Sequence, residues 1–416
     1  MKTNYEIIVI GGGAAGMMAA GIAAEQGARV LLLEKNNRLG KKLALTGGGR
    51  CNITNAEFDN HLFLDNFSEA KQFLLSPFSQ FNTESTFAFF ERLGLPLMVE
   101  DGKRAFPESE SAEDVCTALE EFMKRYQVVV KLGVTVKSLI AKKGEAKGIK
   151  TNIGNFTAKK IILATGGLAA PETGSTGDGL NWLKTLGYTV AAPDTNLSPL
   201  KTSTKWVHAL AGVSIDMMQL RFLQNGKTKH KVSGRILFTH FGISGPVVIN
   251  SAHKVKKLLD NGKVDAAIDL FPNLNLGELN DLLLRRFEEH KNKQLKTVLK
   301  DLVQKKLVDI ILQQLDASLA DTPMHSVTKE QRKLLASTLK ALSFPITGLM
   351  GLDWSIVADG GVNPKEINSK HMNSRLHPNL YLIGDVVDIN RPSGGFSLQL
   401  CWTTGYVAGM HAAKKD

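Results

Sequence analysis

Short, uniformly apolar runs separated by glycine-rich turns dominate the two ends of the chain. Residues 5–10 and 29–33 are β-type runs; between them lie a turn at Gly11–Gly13 and an alanine-rich helical stretch, Ala14 to Gln26, with Gly27 placed to cap it. Two more buried-type strands are predicted at 161–164, ending in a Gly turn (IILATGG), and at 380–383 (LYLIGD). These four strands belong in one parallel sheet, so the segment from about 190 to 345 must leave that fold and return. Inside that segment, β-type runs at Leu220–Phe222, Arg235–Phe238, Val247–Ile249 and Ala266–Leu270 suggest a small barrel or sandwich. From Leu276 to Gln314 the pattern changes to helical spacing, with Leu279, Leu283, Phe287, Leu295, Leu299, Leu302, Leu307 and Ile310 on one face. Pro392 to Gly409 reads as a turn feeding a helix. The predicted organisation is a discontinuous domain, 1–190 with 346–416, interrupted by an insertion, 191–345, that is β-rich over 191–272 and helical over 273–345. No repeat or low-complexity segment interrupts it.

Residues 7–24, IIVIGGGAAGMMAAGIAA, are uncharged and about as long as a minimal membrane span. Their inner order of strand, tight turn and helix argues against a span or a signal peptide. A length of 416 residues implies more than one core, and 43% hydrophobic with 22% charged residues excludes a disordered chain or a fibre. Three scattered cysteines, Cys51, Cys116 and Cys401, form no CxxC pair, which excludes a disulfide framework, a zinc ribbon and a redox-active cysteine pair. No metal site is expected, and a reducing cytoplasm fits best. The net charge of +11 is uneven: residues 190–345 hold 23 Lys plus Arg against 14 Asp plus Glu, so +9 lies in the insertion and +2 elsewhere. Clusters such as Lys227, Lys229, His230, Lys231 and Arg235, or Arg285, Arg286, Lys291, Lys293, Lys296 and Lys300, could meet RNA phosphates or form a solvated face.

The first turn spells GxGxxG with Gly11, Gly13 and Gly16, directly after a strand and opening a helix. The first glycine permits the tight turn, the second lets a pyrophosphate approach the backbone, and the third lets helix and sheet pack closely. Ala14 and Ala15 contribute helix N-terminal amides, which favour negative charge. Glu34 ends the next strand, 21 residues after Gly13, where its carboxylate can accept from a ribose hydroxyl; Lys35 follows it. This reads as a dinucleotide site, the alternative being a merely close-packed β-turn-α, and the motif alone does not separate FAD from NAD. Lys41 to Asn55, KKLALTGGGRCNITN, supplies a glycine loop suited to a phosphate or a flavin edge, with Lys42, Gly47, Gly48, Gly49, Arg50, Cys51 and Asn52. Thr165 and Gly166 follow the third strand, and Gly384 and Asp385 end the fourth, where Asp385 could accept from a ribitol or ribose hydroxyl. Gly394, Gly395, Phe396 and Ser397 open the last helix, whose N-terminus could face the ring carbonyl of a reduced flavin.

In this order, GGGAAG, GKKLALTGGGRCNITN, ATGG, ILFTHFGISGP and SGGFSLQLCWTTGYVAG resemble the BaiN/RdsA (YhiN-type) family of NAD(P)/FAD-dependent oxidoreductases, over essentially the whole chain. The resemblance implies an α/β, Rossmann-like FAD-binding domain of the glutathione-reductase type, interrupted by a β-barrel-like plus helical insertion. It carries flavin contacts onto Gly11, Gly13, Gly16, Glu34, Lys42, the Gly47 to Asn52 loop, Thr165, Gly166, Asp385 and Gly394 to Ser397. Many relatives read GE-V-LDVDG before a GGYN turn and WSSG after it, where this chain has GDVVDINRPSGGF and CWTTG.

Two residues are candidate proton donors. Cys51 beside Arg50 could have a lowered thiol pKa, or could be a small buried residue under the flavin. His240 could be a general acid, or could be bonded to the backbone of its turn. Cys401, Trp402 and Cys116 read as packing residues. With no second GxGxxG, NAD(P)H would dock transiently over the flavin and turnover would be ping-pong. The resemblance implies reduction of a conjugated C=C bond, in a small enone or in uridine of ribosomal RNA. Oxidation of a small amine and a flavin-containing RNA-binding protein with little turnover are the alternatives; nothing in the sequence fixes the oligomeric state.

Overall fold

The computed structural model describes residues 5–142, 144–351 and 357–414. The chain forms two compact units, one of residues up to 194 together with those from 355 onward, the other of residues 195–354. The sequence reading set these boundaries at 190 and 345.

The first unit is built on a seven-stranded sheet in the order Ile367–Asn368, Asn373–Ser374, Leu380–Leu382, Lys160–Leu163, Ile7–Ile10, Val30–Leu33, Val129–Lys131. The last five are mutually parallel, with Ile8 beside both Ile161 and Leu31. All four expected strands lie next to one another in it. Ile7–Ile10 and Val30–Leu33 are buried at every position, which is why they lack polar alternation. The strand Val129–Lys131 was not anticipated, because three residues carry too little pattern to separate from a loop. Neither was a small antiparallel sheet of Val136–Lys142, Glu145–Thr151 and Gly154–Thr157.

Helix Ala14–Glu25 buries 11 of its 12 residues and has no solvent face. It packs on the sheet and against the terminal helix, Phe396–Ala413, along a seam of small residues. A Cβ on Gly405 would stand 2.7 Å from the Ala15 carbonyl oxygen, and one on Gly409 2.7 Å from that of Ala19. The apolar stretch at 7–24 is therefore internal, and among the described residues no helix is long and apolar enough to cross a membrane.

The second unit holds a seven-stranded antiparallel sheet, ordered Leu342–Ile346, Val264–Asp269, Ser214–Gln224, Lys227–Thr239, Gly242–Ser244, Leu200–Lys201, Gly348–Leu349. It is one continuous sheet and not the two stacked layers of a sandwich. Two expectations are corrected here. Val247–Ile249 lies within a helix, Pro246–Leu259, which Pro246 opens at its first position and which buries Val248, Ala252 and Val255 on one face. The three β-branched or apolar residues at its start misled a reading that looked no further than the next few positions. Leu342–Ile346, assigned to the helical half, is a strand on Val264–Asp269. The helical expectation is met by Leu276–Glu289, Leu295–Leu302 and Lys305–Leu315, and the first of these starts with a reciprocal Asn275–Glu278 capping box.

Candidate functional site

Every glycine of the first turn has its own geometry. Gly11 has φ of +105°, and a Cβ there would lie 2.4 Å from the Ala164 carbonyl oxygen; one on Gly16 would lie 1.9 Å from that of Gly11. Both are fixed by packing. Gly13 differs: its backbone is ordinary extended chain (φ −84°), and a Cβ there would meet no protein atom within 4 Å. That space opens over Ala14 and Ala15 in the first turn of a helix with neither a side-chain cap nor an acidic residue in that turn.

Glu34 is buried, and both of its oxygens are already engaged. Oε2 accepts from the Gly12 amide (2.7 Å), while Oε1 accepts from the Asn36 amide (2.8 Å) and side chain (2.7 Å). It thus braces the Gly11–Gly13 turn. Lys35 reaches Thr176 (2.6 Å) and Asp178 (3.1 Å), which fixes its ammonium on the loop that opens helix Asp178–Thr185.

The second glycine loop turns through Gly47, Gly48 and Gly49, all at positive φ, with open space at the Cβ positions of Gly48 and Gly49. Arg50 is engaged by neighbouring side chains. Its guanidinium lies 4.2 Å over the Phe106 ring and bonds to Glu100 and Glu110, so it clamps the loop. Asn52 joins the loop to the terminal helix: its side-chain oxygen accepts from the Gly395 amide (3.1 Å) and its nitrogen donates to Ala105 (3.2 Å) and Thr54 (3.0 Å). Trp402 donates to the Ile53 carbonyl (2.9 Å), and buried Gln399 accepts from Thr54 (2.6 Å) and Thr86 (2.9 Å). The terminal helix begins at Gly395, φ +100°, again with no side-chain cap. Phe396 turns inward onto Phe63, ring centres 4.8 Å apart, and so packs in the core.

Asp385 lies in the short 3-10 turn Gly384–Val386 that follows the strand Leu380–Leu382, between two cations, Lys42 at 3.3 Å from Oδ2 and Arg391 on Oδ1. Burial pushes this carboxyl up, but Arg391 and Lys42 outweigh it and hold the group below the usual carboxylate range. Gly384 packs against Ala15, with 3.0 Å between a Cβ there and that of Ala15. Gly166, at φ +73°, faces Ser175, and the Thr165 hydroxyl is buried against Gly179 with no hydrogen-bond partner. Among the described residues no group of side chains could hold a metal ion.

The family model for the HI0933-like protein Rossmann domain matches residues 5–411. The chain belongs to the HI0933-like family. It is 31% identical over 412 residues to a protein of Clostridium scindens named 3-dehydro-bile acid Δ(4,6)-reductase, covering 98% of each chain. It is 28% identical over 421 residues to a ribosomal RNA dihydrouridine synthase of Haemophilus influenzae, covering all of both. Among solved structures, 3-ketosteroid-Δ4-(5α)-dehydrogenase from Rhodococcus jostii superimposes with a TM-score of 0.55 at 15% identity, covering 99% of this chain and 98% of that one, which is a likeness of fold.

For this HI0933-like chain the two expected proton donors fall in different surroundings. Cys51 is fully buried, with φ of +61°, and burial pushes its thiol up to about 12. Of the two readings of Cys51, the buried residue is favoured over the lowered thiol pKa, since the charge of its neighbour Arg50 is spent on Glu100 and Glu110. His240 belongs to the second unit, where its exposed ring meets Phe241 edge-on at 4.9 Å. Sequence reasoning missed Arg391. Its only signal was a lone cation between the Asp385 strand and the Gly394–Gly395 turn.

Proposed function

We propose that this chain is an FAD-dependent oxidoreductase that takes electrons from NAD(P)H and reduces a conjugated C=C bond, in a small enone or in uridine of ribosomal RNA. The observation that carries the reading is the open space at Gly13 over an uncapped helix start, joined to Gly48–Gly49 and an uncapped terminal helix at one edge of a parallel sheet. Gly11–Gly16 and Glu34 would hold the adenosine and pyrophosphate part of FAD, with the Gly47–Asn52 loop, Lys42, Asp385 and Gly394–Ser397 toward the flavin. When bound, FAD supplies hydride transfer between donor and acceptor. The residues do the rest: the amides of Ala14 and Ala15 face phosphate charge, and the first turn of the terminal helix offers donors to negative charge developing on the ring. Of the two donor candidates, the thiol of Cys51 is buried and pushed up to about 12, which makes it a weak acid, and the exposed His240 is the one to test by substitution. The names of full-length relatives at 31% and 28% identity support the reaction class. The charge excess of the insertion favours the RNA acceptor over the neutral enone.

NADPH without air should bleach the 450 nm flavin band, and subsequent addition of RNA, an enone or O2 should restore it with the true acceptor. His240→Gln should leave bleaching intact and slow reoxidation by that acceptor roughly a hundredfold. Reoxidation by O2 alone would sink the reductase reading in favour of an oxidase.

A further inference from the structure

We propose that Lys42, Asp385 and Arg391 form a fixed charge cluster that raises the reduction potential of the flavin, with Arg391 as the positioning residue that holds Asp385 in place; this rests on the FAD reading above. The carboxylate that sequence reasoning assigned to a flavin hydroxyl has one oxygen on Lys42 and the other on Arg391. Arg391 is the more deeply set of the two cations, its side chain 2% exposed against 26% for Lys42. Its fork is spoken for on three sides: NH2 donates to Asp385, NH1 to the Ile389 carbonyl at 2.6 Å, and Nε to Ser397 Oγ at 3.2 Å. Ser397 is the second residue of the terminal helix, so the guanidinium is tied to that helix start as well as to the turn that holds Asp385.

Two cations and one anion leave a net charge of +1 in a part-buried position, where water screens it weakly. The cluster sits beside the starts of two uncapped helices: Arg391 bonds Ser397 in the first turn of one, and a Cβ on Gly384 would lie 3.0 Å from the side chain of Ala15 in the first turn of the other and 3.7 Å from Cys401 Sγ, one turn further along the terminal helix. Its sign matches both helix starts. A flavin gains negative charge on reduction, so a standing positive charge beside it stabilises the reduced form more than the oxidised one. The ionised state of Asp385 is maintained by the same two cations, and its carboxyl stays charged across the neutral range.

The test is a spectroelectrochemical potential on purified, flavin-loaded protein, for variants whose cluster charge differs in sign of change. Arg391→Met and Lys42→Met reduce the cluster to zero and should lower the equilibrium constant for two-electron reduction at least tenfold, about 30 mV. Asp385→Asn raises it to +2 and should displace the potential the opposite way. Arg391→Lys keeps the charge and should restore most of the wild-type value. Opposite displacements support the proposal, because disrupted packing would not change sign with charge. Displacements in one direction, or none, overturn it. Should Arg391→Met fail to fold, Lys42→Met and Asp385→Asn still carry the sign test. Wild-type protein without flavin would instead overturn the FAD reading, whereas flavin present at unmoved potentials overturns this proposal alone.

Discussion

The two units of this chain carry very different net charge, about +2 in the first and +9 in the second. In the first unit the cations of the candidate site are matched to carboxylates: Lys35 to Asp178, Lys42 and Arg391 to Asp385, Arg50 to Glu100 and Glu110. There charge fixes loops around glycines whose Cβ positions are open. In the second unit, which carries +9 of the chain's +11, Arg235, Arg286, Lys296 and Lys340 are paired with carboxylates while Lys227, Lys229 and Lys231 stand exposed on one strand. Paired charges shape a site, while an unmatched excess attracts anions from a distance and weakens with salt.

The largest expected effect separates open from packed glycines within the first unit. Gly13→Val should leave the fold intact, because its backbone accepts any residue and the space is free, yet it should weaken FAD binding by roughly a hundredfold or more, about 2.7 kcal/mol. Gly16→Ala should lower the melting temperature of the cofactor-free protein, since its Cβ would enter the Gly11 carbonyl; overpacking of this kind costs roughly 1–3 kcal/mol. If both variants lose stability equally, the space at Gly13 is not a ligand site.

A smaller effect tests the second unit. Reversing Lys227, Lys229 and Lys231 to Glu should weaken RNA binding at least about tenfold and flatten its salt dependence by up to about two units of log–log slope, at roughly 0.7 per phosphate contact. Flavin content should not change. Salt-insensitive RNA binding by the wild-type protein would make the basic strand a solvated surface.

How much of this was legible follows from which interactions are local. Gly11, Gly13, Gly16 and Glu34 were readable because strand, turn, helix and the next strand are contiguous in sequence. The Arg391–Asp385 bond spans six residues, but nothing local says that an arginine in a turn will fold back and be buried. The ties from Asn52 to Gly395, Trp402 to Ile53 and Thr54 to Gln399 span more than 340 residues, and no periodicity encodes such partners. The two readings of Cys51 could not be separated for the same reason. Arg50 is adjacent in sequence, but Glu100 and Glu110 take its charge and burial decides the thiol.

The smallest predicted effect lies in the first unit, far from its glycine loops. His411 bonds to Gln80 at 3.0 Å and lies against His371 with the rings tilted and their centres 4.2 Å apart, and burial, with His371 and Lys414 nearby, lowers its pKa from 6.5 to about 4. The unfolded chain therefore binds the extra proton first. Stability contributed by this contact is intact above pH 6.5, falls as the pH drops toward 4, and changes no further below that. His411→Gln should reduce the loss in urea midpoint between pH 7 and pH 5. An unchanged loss would assign that pH dependence to other groups.

The flavin content of the purified protein tests the central claim most directly. Acid precipitation should release a yellow supernatant containing FAD in about one equivalent per chain, since the glycine loops and helix starts offer hydrogen bonds and no covalent tether is required. A colourless protein, or colour that remains in the pellet, would contradict the account.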